Sequence, residues 1–595
     1  MRSINPKRTV VACSSTHATY LTAKTPPPPP GESSSTTTNA SLVMVQEDGQ
    51  CELSLDCSLR TAEELVLDFQ GTPVMGGTAP SGQQIPRYVA GEAFFNYQLF
   101  GSLRKGGTVS LLAPMYRGYA LAAVLSGYVY VAVMHLLLRL PDDVLFLDSS
   151  STRIKNVLSL QWTVVLLVGV MSDAFAVCGF KRKSFIVAGW TLSSAFWLVL
   201  FVLFQSSSHP APAVTLTFII LAFLGLVIAT NALDIRVIEL SQQEEVHHRG
   251  RLLGAYQVVR ISGQVVMHAL ISIVARPDTK TVDFRLPFDV GFVFLHLCVV
   301  CAVPLYWLVH NAHEDRVPHL QCQQVPFPPQ APEHRSPSSS LVKKVWSCMQ
   351  QRVVWQLMLF NSALFFFGLF EFTDVKRALQ FWSQDSSITR LVRNSVGDVS
   401  FVVCLLVWRM YGINTNWRRL TAGVLVFFVI VLFSTSTLII LDGVRASWVC
   451  TLGWVLRAPF RVLILLAPFV PTVEIAPAGT EGTTYALLSV MQNVAKLLAA
   501  ELARTIARSW PSLQFQYERM AESSSETEHT QFYGLLVMTL VVLCALLGLK
   551  CLPQQKLDAQ QLRVYGGYSR VPVLILGLGF LVAFPYVSYM QISRL

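Results

Sequence analysis

Residues 185–204 read FIVAGWTLSSAFWLVLFVLF, with no charged side chain, entered through Lys181-Arg182-Lys183 and left at Gln205. At about 1.5 Å of rise per residue such a helix is about 30 Å long, the thickness of the hydrocarbon core of a bilayer. Over that distance in lipid only a helix or a closed barrel satisfies its own backbone groups, so the run reads as a transmembrane helix. Similar runs recur on both sides of it. Spans are expected at 113–138, 156–176, 184–204, 213–235, 252–275 and 289–310, then at 353–372, 395–411, 419–441, 446–471, 483–505 and 532–551. A further run at 571–590 is a candidate thirteenth span.

The composition of the 595 residues agrees. Apolar residues make up 52% and charged residues 14%, against about 25% charged in soluble proteins, and mean hydropathy is +0.47. A water-facing surface is not built from so few charges, which excludes a soluble enzyme, a nucleic-acid-binding module and a single-span receptor with a large ectodomain. The net charge of +10 is therefore read as basic cytoplasmic loops beside anionic lipid, with no nucleic-acid partner. Cys298 and Cys301 follow His296 in an apolar stretch, where small side chains pack helices together, so no disulfide, metal or cofactor is expected.

Five segments are expected. Residues 1–105 form a disordered cytoplasmic tail with the polyproline run Pro26–Pro30, a Ser/Thr tract and a membrane-surface segment near 88–103. Residues 106–310 form an N-terminal six-helix bundle, 311–351 a polar cytoplasmic loop, 352–552 a C-terminal six-helix bundle, and 553–595 a C-terminal segment with the candidate extra helix. With the tail inside, the cytoplasmic loops carry Lys181-Arg182-Lys183, Arg249, Arg251, Arg316, Arg335, Lys343, Lys344 and Arg418-Arg419. Lys376, Arg377, Arg390 and Arg393 face out. This all-α polytopic layout of six helices, a loop and six helices resembles the major facilitator superfamily, whose halves rock about a central site.

An ionisable group at the bilayer centre costs about 2.5 to 3.5 kcal/mol on insertion scales, so its position points to a cavity or a partner. The third, sixth, ninth and twelfth spans have almost charge-free interiors and are expected at the periphery. In the fifth, Gln257, Arg260, Gln264 and His268 follow i, i+3, i+7, i+11 and share one face. The eleventh repeats this with Tyr485, Ser489, Gln492 and Lys496, and the tenth carries Arg457 and Arg461 four apart around Pro459, which is expected to kink it. Arg260, Arg457, Arg461 and Lys496 lie at mid-depth, whereas Asp173, Asp234, Glu371 and Asp398 lie nearer span ends. That imbalance suits an anionic solute, because guanidinium forks donate paired hydrogen bonds to carboxylate or phosphate. The competing reading pairs these bases with the acids as rigid glue between helices.

Three strings resemble one family. Gly169-Val-Met-Ser-Asp173 with Gly179-Phe-Lys181-Arg182-Lys183 is similar to the facilitator signature in the stretched form of folate-biopterin transporters. Asn231-Ala-Leu-Asp234, Val237-Ile-Glu239-Leu240 and Arg249-Gly250 resemble the fourth helix and following loop of that family. Val473-Glu474-Ile-Ala-Pro-Ala-Gly479-Thr-Glu481-Gly482-Thr-Thr-Tyr485 resembles its segment between the tenth and eleventh helices. The matches span roughly 110–560.

The resemblance implies a facilitator-fold carrier of folates or pteridines, with some relatives carrying other metabolites such as S-adenosylmethionine. On this reading Arg260, Gln257, Gln264, Arg457, Arg461, Gln492 and Lys496 bind the solute, while Asp173, Asp234 and Glu481 serve gating or coupling to protons or a counter-solute. A monomer in the plasma membrane is expected. No nucleotide-binding loop is present to power a pump. A membrane-embedded enzyme using Asp173 or His268 lacks a compact acid/base constellation. A transport-inactive sensor or scaffold docking partners through the polyproline tail is the other alternative.

Overall fold

Apolar runs long enough to cross a bilayer fold as helices because the backbone then bonds to itself at every turn. The structure, a computed structural model, describes residues 42–47, 50–55, 102–104, 106–136, 158, 161–206, 211–274, 276–277, 284–285, 290–315, 337–384, 386–516 and 525–592. The polyproline run, most of the 88–103 segment and residues 316–336 of the central loop lie outside the described residues.

In the N-terminal unit, Met1–Gln70, strands Leu42–Glu47 and Gln50–Leu55 pair antiparallel, Leu42 opposite Leu55 and Glu47 opposite Gln50. This departs from the expectation of a tail without regular structure. The stretch Leu42-Val-Met-Val45 favours strand, and Asp48-Gly49 is a sequence suited to a two-residue hairpin loop.

The remainder, Gly71–Leu595, is a second unit. Its first six spans are Arg117–Leu136, Val165–Ala174 after a 3-10 turn, Lys183–Ser206, Pro212–Ser241, Arg251–Val274 and Val290–His310. The seventh is a pair, Arg352–Gly368 and Thr373–Trp382, bent by 44°. The eighth is Ser387–Val407 with a π turn to Gly412, and the ninth is Trp417–Ile440. The tenth comes in three pieces, Ser447–Leu456, Ala458–Leu466 and Phe469–Ile475. Glu481–Ser509, Ser525–Cys551 and Val571–Ile592 complete the set. Eleven of the described helices are long and apolar enough to cross a membrane, twelve with the bent pair. The candidate run at 571–590 is among them.

Neighbour relations repeat every six spans. The first packs on the fifth and the seventh on the eleventh; the third on the sixth and the ninth on the twelfth; the second on the eleventh and the eighth on the fifth. The last two contacts exchange under the repeat, so they form the seam between halves related by a pseudo-two-fold axis. This is the major facilitator fold. The third, sixth, ninth and twelfth spans bear exposed large apolar side chains such as Val202, Tyr306, Ile430 and Leu540. They form the lipid-facing periphery expected from their charge-free interiors.

The two sides of the seam differ chemically. Gly169 of the second span lies against Gly482 and Ala486 of the eleventh, and a Cβ added at Gly169 would stand 2.6 Å from that of Ala486. On the other side Gly254 of the fifth span faces the Trp408 ring and Arg409, 3.2 to 3.3 Å from where its Cβ would be.

The thirteenth helix packs on the eleventh and seventh. Two expected boundaries shift. The eighth helix begins at Ser387 rather than near 395, which places Arg390 and Arg393 on the helix. The tenth breaks at Arg457, where Pro459 has no N–H for the Val455 carbonyl.

Gly169→Val should push the second and eleventh spans apart. Overpacking of this kind costs about 1–3 kcal/mol, so the melting temperature of the purified variant should fall, whereas Gly423→Val, where a Cβ meets nothing within 4 Å, should leave it unchanged.

Candidate functional site

The end bearing the basic loops is sealed by ionic contacts between the halves. Arg182, its side chain 1% exposed, lies 2.5 Å from Asp173, 2.7 Å from Glu239 and 3.6 Å from Glu481. Asp173, the last acid of the second span, accepts the Gly482 N–H at 3.1 Å, the Thr483 N–H at 2.6 Å and the Thr483 hydroxyl at 2.7 Å. A carboxylate is favoured at this point because the unsatisfied N–H groups of the eleventh helix carry partial positive charge. Glu481 accepts the Gly479 N–H at 3.0 Å and pairs with Arg104.

A second group of contacts continues the seal. Arg249 pairs with Glu474 at 2.7 Å, and Gln560 donates to the same carboxylate at 2.6 Å. Gln242 donates to the Val473 and Ala476 carbonyls. Lys556 Nζ donates to the Val246 and Arg249 carbonyls, both at 2.9 Å, and to Asn414 Oδ1 at 3.0 Å. Glu244 accepts the Gly250 and Leu252 N–H groups at 2.8 and 2.9 Å. Burial pushes Glu244 up to about 7, and burial lowers Lys556 to about 8.

Deeper in, Asp234 of the fourth span is a hub. It accepts the Tyr256 hydroxyl at 2.5 Å, the Tyr485 hydroxyl at 3.0 Å and Arg260 Nη1 at 3.1 Å. Tyr256 and Arg260 lie on the fifth span, and Tyr485 belongs to the other half. Gln257 beside them is buried, and neither of its amide atoms has a hydrogen-bond partner among the described residues. On the eleventh span, Gln492 and Lys496 continue the face of Tyr485, with Lys496 about three turns and about 16 Å farther from the basic-loop end. Lys496 is exposed although it lies in mid-span, and among the described residues no carboxylate comes within ion-pair distance of it. Because Tyr485 points to the hub, that face looks into the space between the halves rather than into lipid. Gln264 of the fifth span is half-buried on the corresponding face.

A third constellation closes the seam between the fifth and eighth spans. Asp398 accepts from Arg461 Nη2 at 2.6 Å and lies 2.7 Å from His268 Nδ1. The Arg461 guanidinium also stacks on the Phe401 ring, 4.5 Å from its centroid.

The charge count expected from the sequence is thereby corrected. Arg260 and Arg461 are paired with Asp234 and Asp398, as the glue reading requires for those two, and Lys496 is the base left open. Arg457 and Arg461 do not point to one place. The break at Arg457 sends Arg461 to Asp398, while Arg457 lines a separate cavity with Glu371, Lys376 and Arg393. Sequence reasoning missed Tyr256 as a partner of Asp234. Its place beside Gln257 and one helical turn from Arg260 was the available signal. Glu474 was visible only within the string that carries the family resemblance.

Residues 135–560 match the sequence profile of the BT1 family. The chain is similar to a folate-biopterin transporter of Synechocystis sp., 22% identical over 373 residues that cover 60% of this chain and 68% of that protein. Among solved structures it is similar to the major facilitator proton:xylose symporter XylE bound to 6-bromo-6-deoxy-D-glucose, with 12% identity and a TM-score of 0.49 over 71% of this chain and 93% of that one. A bacterial homologue of the iron transporter ferroportin in its outward-facing state aligns at 13% identity and TM-score 0.43, over 72% of this chain and 98% of that one.

The raised Glu244 carboxyl gives the seal a pH dependence. With the site folded it stays protonated up to about 7, whereas in the unfolded chain it ionises near 4.3. Its contribution to stability is thus full below the unfolded value and lost as pH rises through about 7, with Arg249 and Lys556 as the cations beside it. Melting of Glu244→Gln should accordingly differ from the parent by an amount that changes between about pH 4.5 and 7 and is flat above.

Proposed function

The chain belongs to the BT1 family, and from that premise we propose that it carries a small anionic metabolite, most closely of the folate or pteridine class, across the membrane by alternating access. The observation that carries this reading is Lys496, exposed in mid-span, free of a carboxylate partner among the described residues and facing the space above a basic-loop end that is sealed. An amine so placed attracts an anion. Gln257, Gln264 and Gln492 add hydrogen-bonding groups on the two faces that meet there, and Arg260 lies at the floor.

The proposed cycle follows from the pairing of Arg260. A solute carboxylate that engages the guanidinium competes with Asp234 for it, and Asp234 is then neutralised by a proton or released to a counter-solute's exchange step. Asp234 in turn holds Tyr485 of the opposite half, so its release loosens the hub across the seam. Asp173 and Glu481 form the gate at the basic-loop end, which is the cytoplasmic end by the bias of Lys and Arg. Opening to that side requires Asp173 to leave the start of the eleventh helix. Arg461, fixed by Asp398, supports the opposite side of the seam. The carrier is proposed to work as a monomer in the plasma membrane.

Uptake of radiolabelled folate, biopterin and S-adenosylmethionine in transport-deficient cells tests the substrate class. Folate or biopterin should accumulate, and Lys496→Ala should reduce uptake about tenfold or more at unchanged surface abundance, since a hydrogen bond to a charged group contributes about 1.5–3 kcal/mol. Arg260→Gln should do the same. Accumulation of S-adenosylmethionine alone would reassign the substrate, and uptake of none of the three would favour a sensor over a carrier.

A further inference from the structure

The short helix Lys556–Tyr565 is tied to the C-terminal bundle at both ends. Before it, the Gln554 carbonyl accepts the Trp417 N–H at 2.7 Å, and after it the Gly567 carbonyl accepts the Arg352 N–H at 3.1 Å. Between this helix and the bundle lies a cavity of about 370 Å³, lined by Arg352, Gln356, Arg418, Lys550, Asp558 and Gln561 among others. That is the size of a small-molecule site rather than of a gap in packing. Every lining residue belongs to the second half of the chain, so the cavity is separate from the space between the halves, and it lies at the basic-loop end.

Three bases and one acid meet there, which leaves two positive charges in excess. Arg352 and Lys550 are exposed, and neither has a carboxylate within ion-pair distance among the described residues. Arg418 is anchored at the end of the twelfth span, where the Leu552 carbonyl accepts its Nε–H and the Lys550 carbonyl accepts from Nη2 at 3.3 Å. Asp558 forms no ion pair with these bases among the described residues. It stands in the first turn of the short helix, where unsatisfied N–H groups favour a carboxylate. By the same rule the two arginines are unfavourably placed. Arg352 is the first residue of the seventh span and Arg418 the second of the ninth, and a helix start repels a cation. The bias of basic residues to this side accounts for their presence there and not for their convergence on one hollow. An anion in the hollow reverses the sign of the effect, because helix starts and guanidinium forks both favour it.

We propose that this cavity binds a phosphomonoester group, held by Arg352, Arg418 and Lys550, with Gln356 and Gln561 as further hydrogen-bonding groups. Such a group carries about −1.5 to −2 charge near neutral pH, which matches the excess, and its oxygens suit two guanidinium forks and an ammonium. It comes on a soluble metabolite or on a lipid headgroup, since the cavity lies where the basic loops meet the membrane surface. Once bound, it ties the starts of the seventh and ninth spans and the end of the twelfth to the helix that reaches the seal through Lys556 and Gln560. The site does not depend on which solute is transported.

Thermal unfolding of the purified full-length protein in a neutral detergent tests this. Glycerol phosphate is compared with sodium chloride at matched pH and ionic strength, and dioctanoyl phosphatidic acid with dioctanoyl phosphatidylcholine. One or both phosphomonoesters should raise the melting temperature by about 2 °C or more over its control at saturation. A rise with glycerol phosphate assigns a soluble ester, and a rise with phosphatidic acid alone assigns a lipid headgroup; either supports the site. The rise should vanish when Arg352→Gln and Lys550→Gln are combined, appear at several-fold lower ligand in Asp558→Asn, and persist in Lys496→Ala. No rise with either probe, a rise undiminished in the double variant, or one lost in Lys496→Ala would overturn the proposal. Should the double variant fail to fold, Asp558→Asn decides the outcome, because an unchanged ligand requirement there overturns the site as well.

Discussion

A carboxylate buried between membrane helices must be satisfied on the spot, and Asp234 meets that requirement with two tyrosine hydroxyls and a guanidinium from two other spans. Because Tyr485 comes from the second half of the chain, this one acid sets how closely the halves approach at its depth. Toward the basic loops the halves are drawn together by a dense set of ion pairs. Away from them, no comparable pairing is found around Lys496 among the described residues. That contrast sets a polar hub and a sealed end against an open amine on the eleventh span.

Arginine and lysine differ in their pairing at mid-depth. The guanidinium groups of Arg182, Arg249, Arg260 and Arg461 each sit against at least one carboxylate, where a planar fork holds two helices in a fixed relation. Lys496, with a compact head on a flexible stem, is exposed and has no carboxylate within ion-pair distance among the described residues.

Much of the fold is legible in the chain. Twenty-residue runs such as 185–204 need no partner to declare themselves, and the charge-free interiors of four spans announced the periphery. The exceptions have local causes. Arg390 and Arg393 lower the hydropathy at the start of the eighth span, so its first turns read as a loop, although Ser386 caps it by accepting the Thr389 N–H at 3.1 Å. Pro459 foretold the break in the tenth span, but not that Arg457 and Arg461 would part company there. The site was less legible because its bonds join distant positions: Asp234 meets Tyr485, 251 residues away, and Asp173 meets Thr483, 310 away. Helical spacing places a side chain on a face and is silent about which face lies opposite.

The unlike chemistry of the two seam contacts has a consequence for how the molecule opens. Near the second and eleventh spans the halves meet through charge, with Asp173 on the start of a helix. Near the fifth and eighth an indole ring lies on the bare backbone of Gly254, and farther along the same edge His268 meets Asp398. Exposed or newly wetted charges are weakened by dissolved ions, whereas aromatic contact is not screened by them and weakens on cooling. The edge at the second and eleventh spans therefore answers chiefly to dissolved ions, whereas the edge at the fifth and eighth, where a ring and an ion pair share the contact, answers to ions and to temperature together.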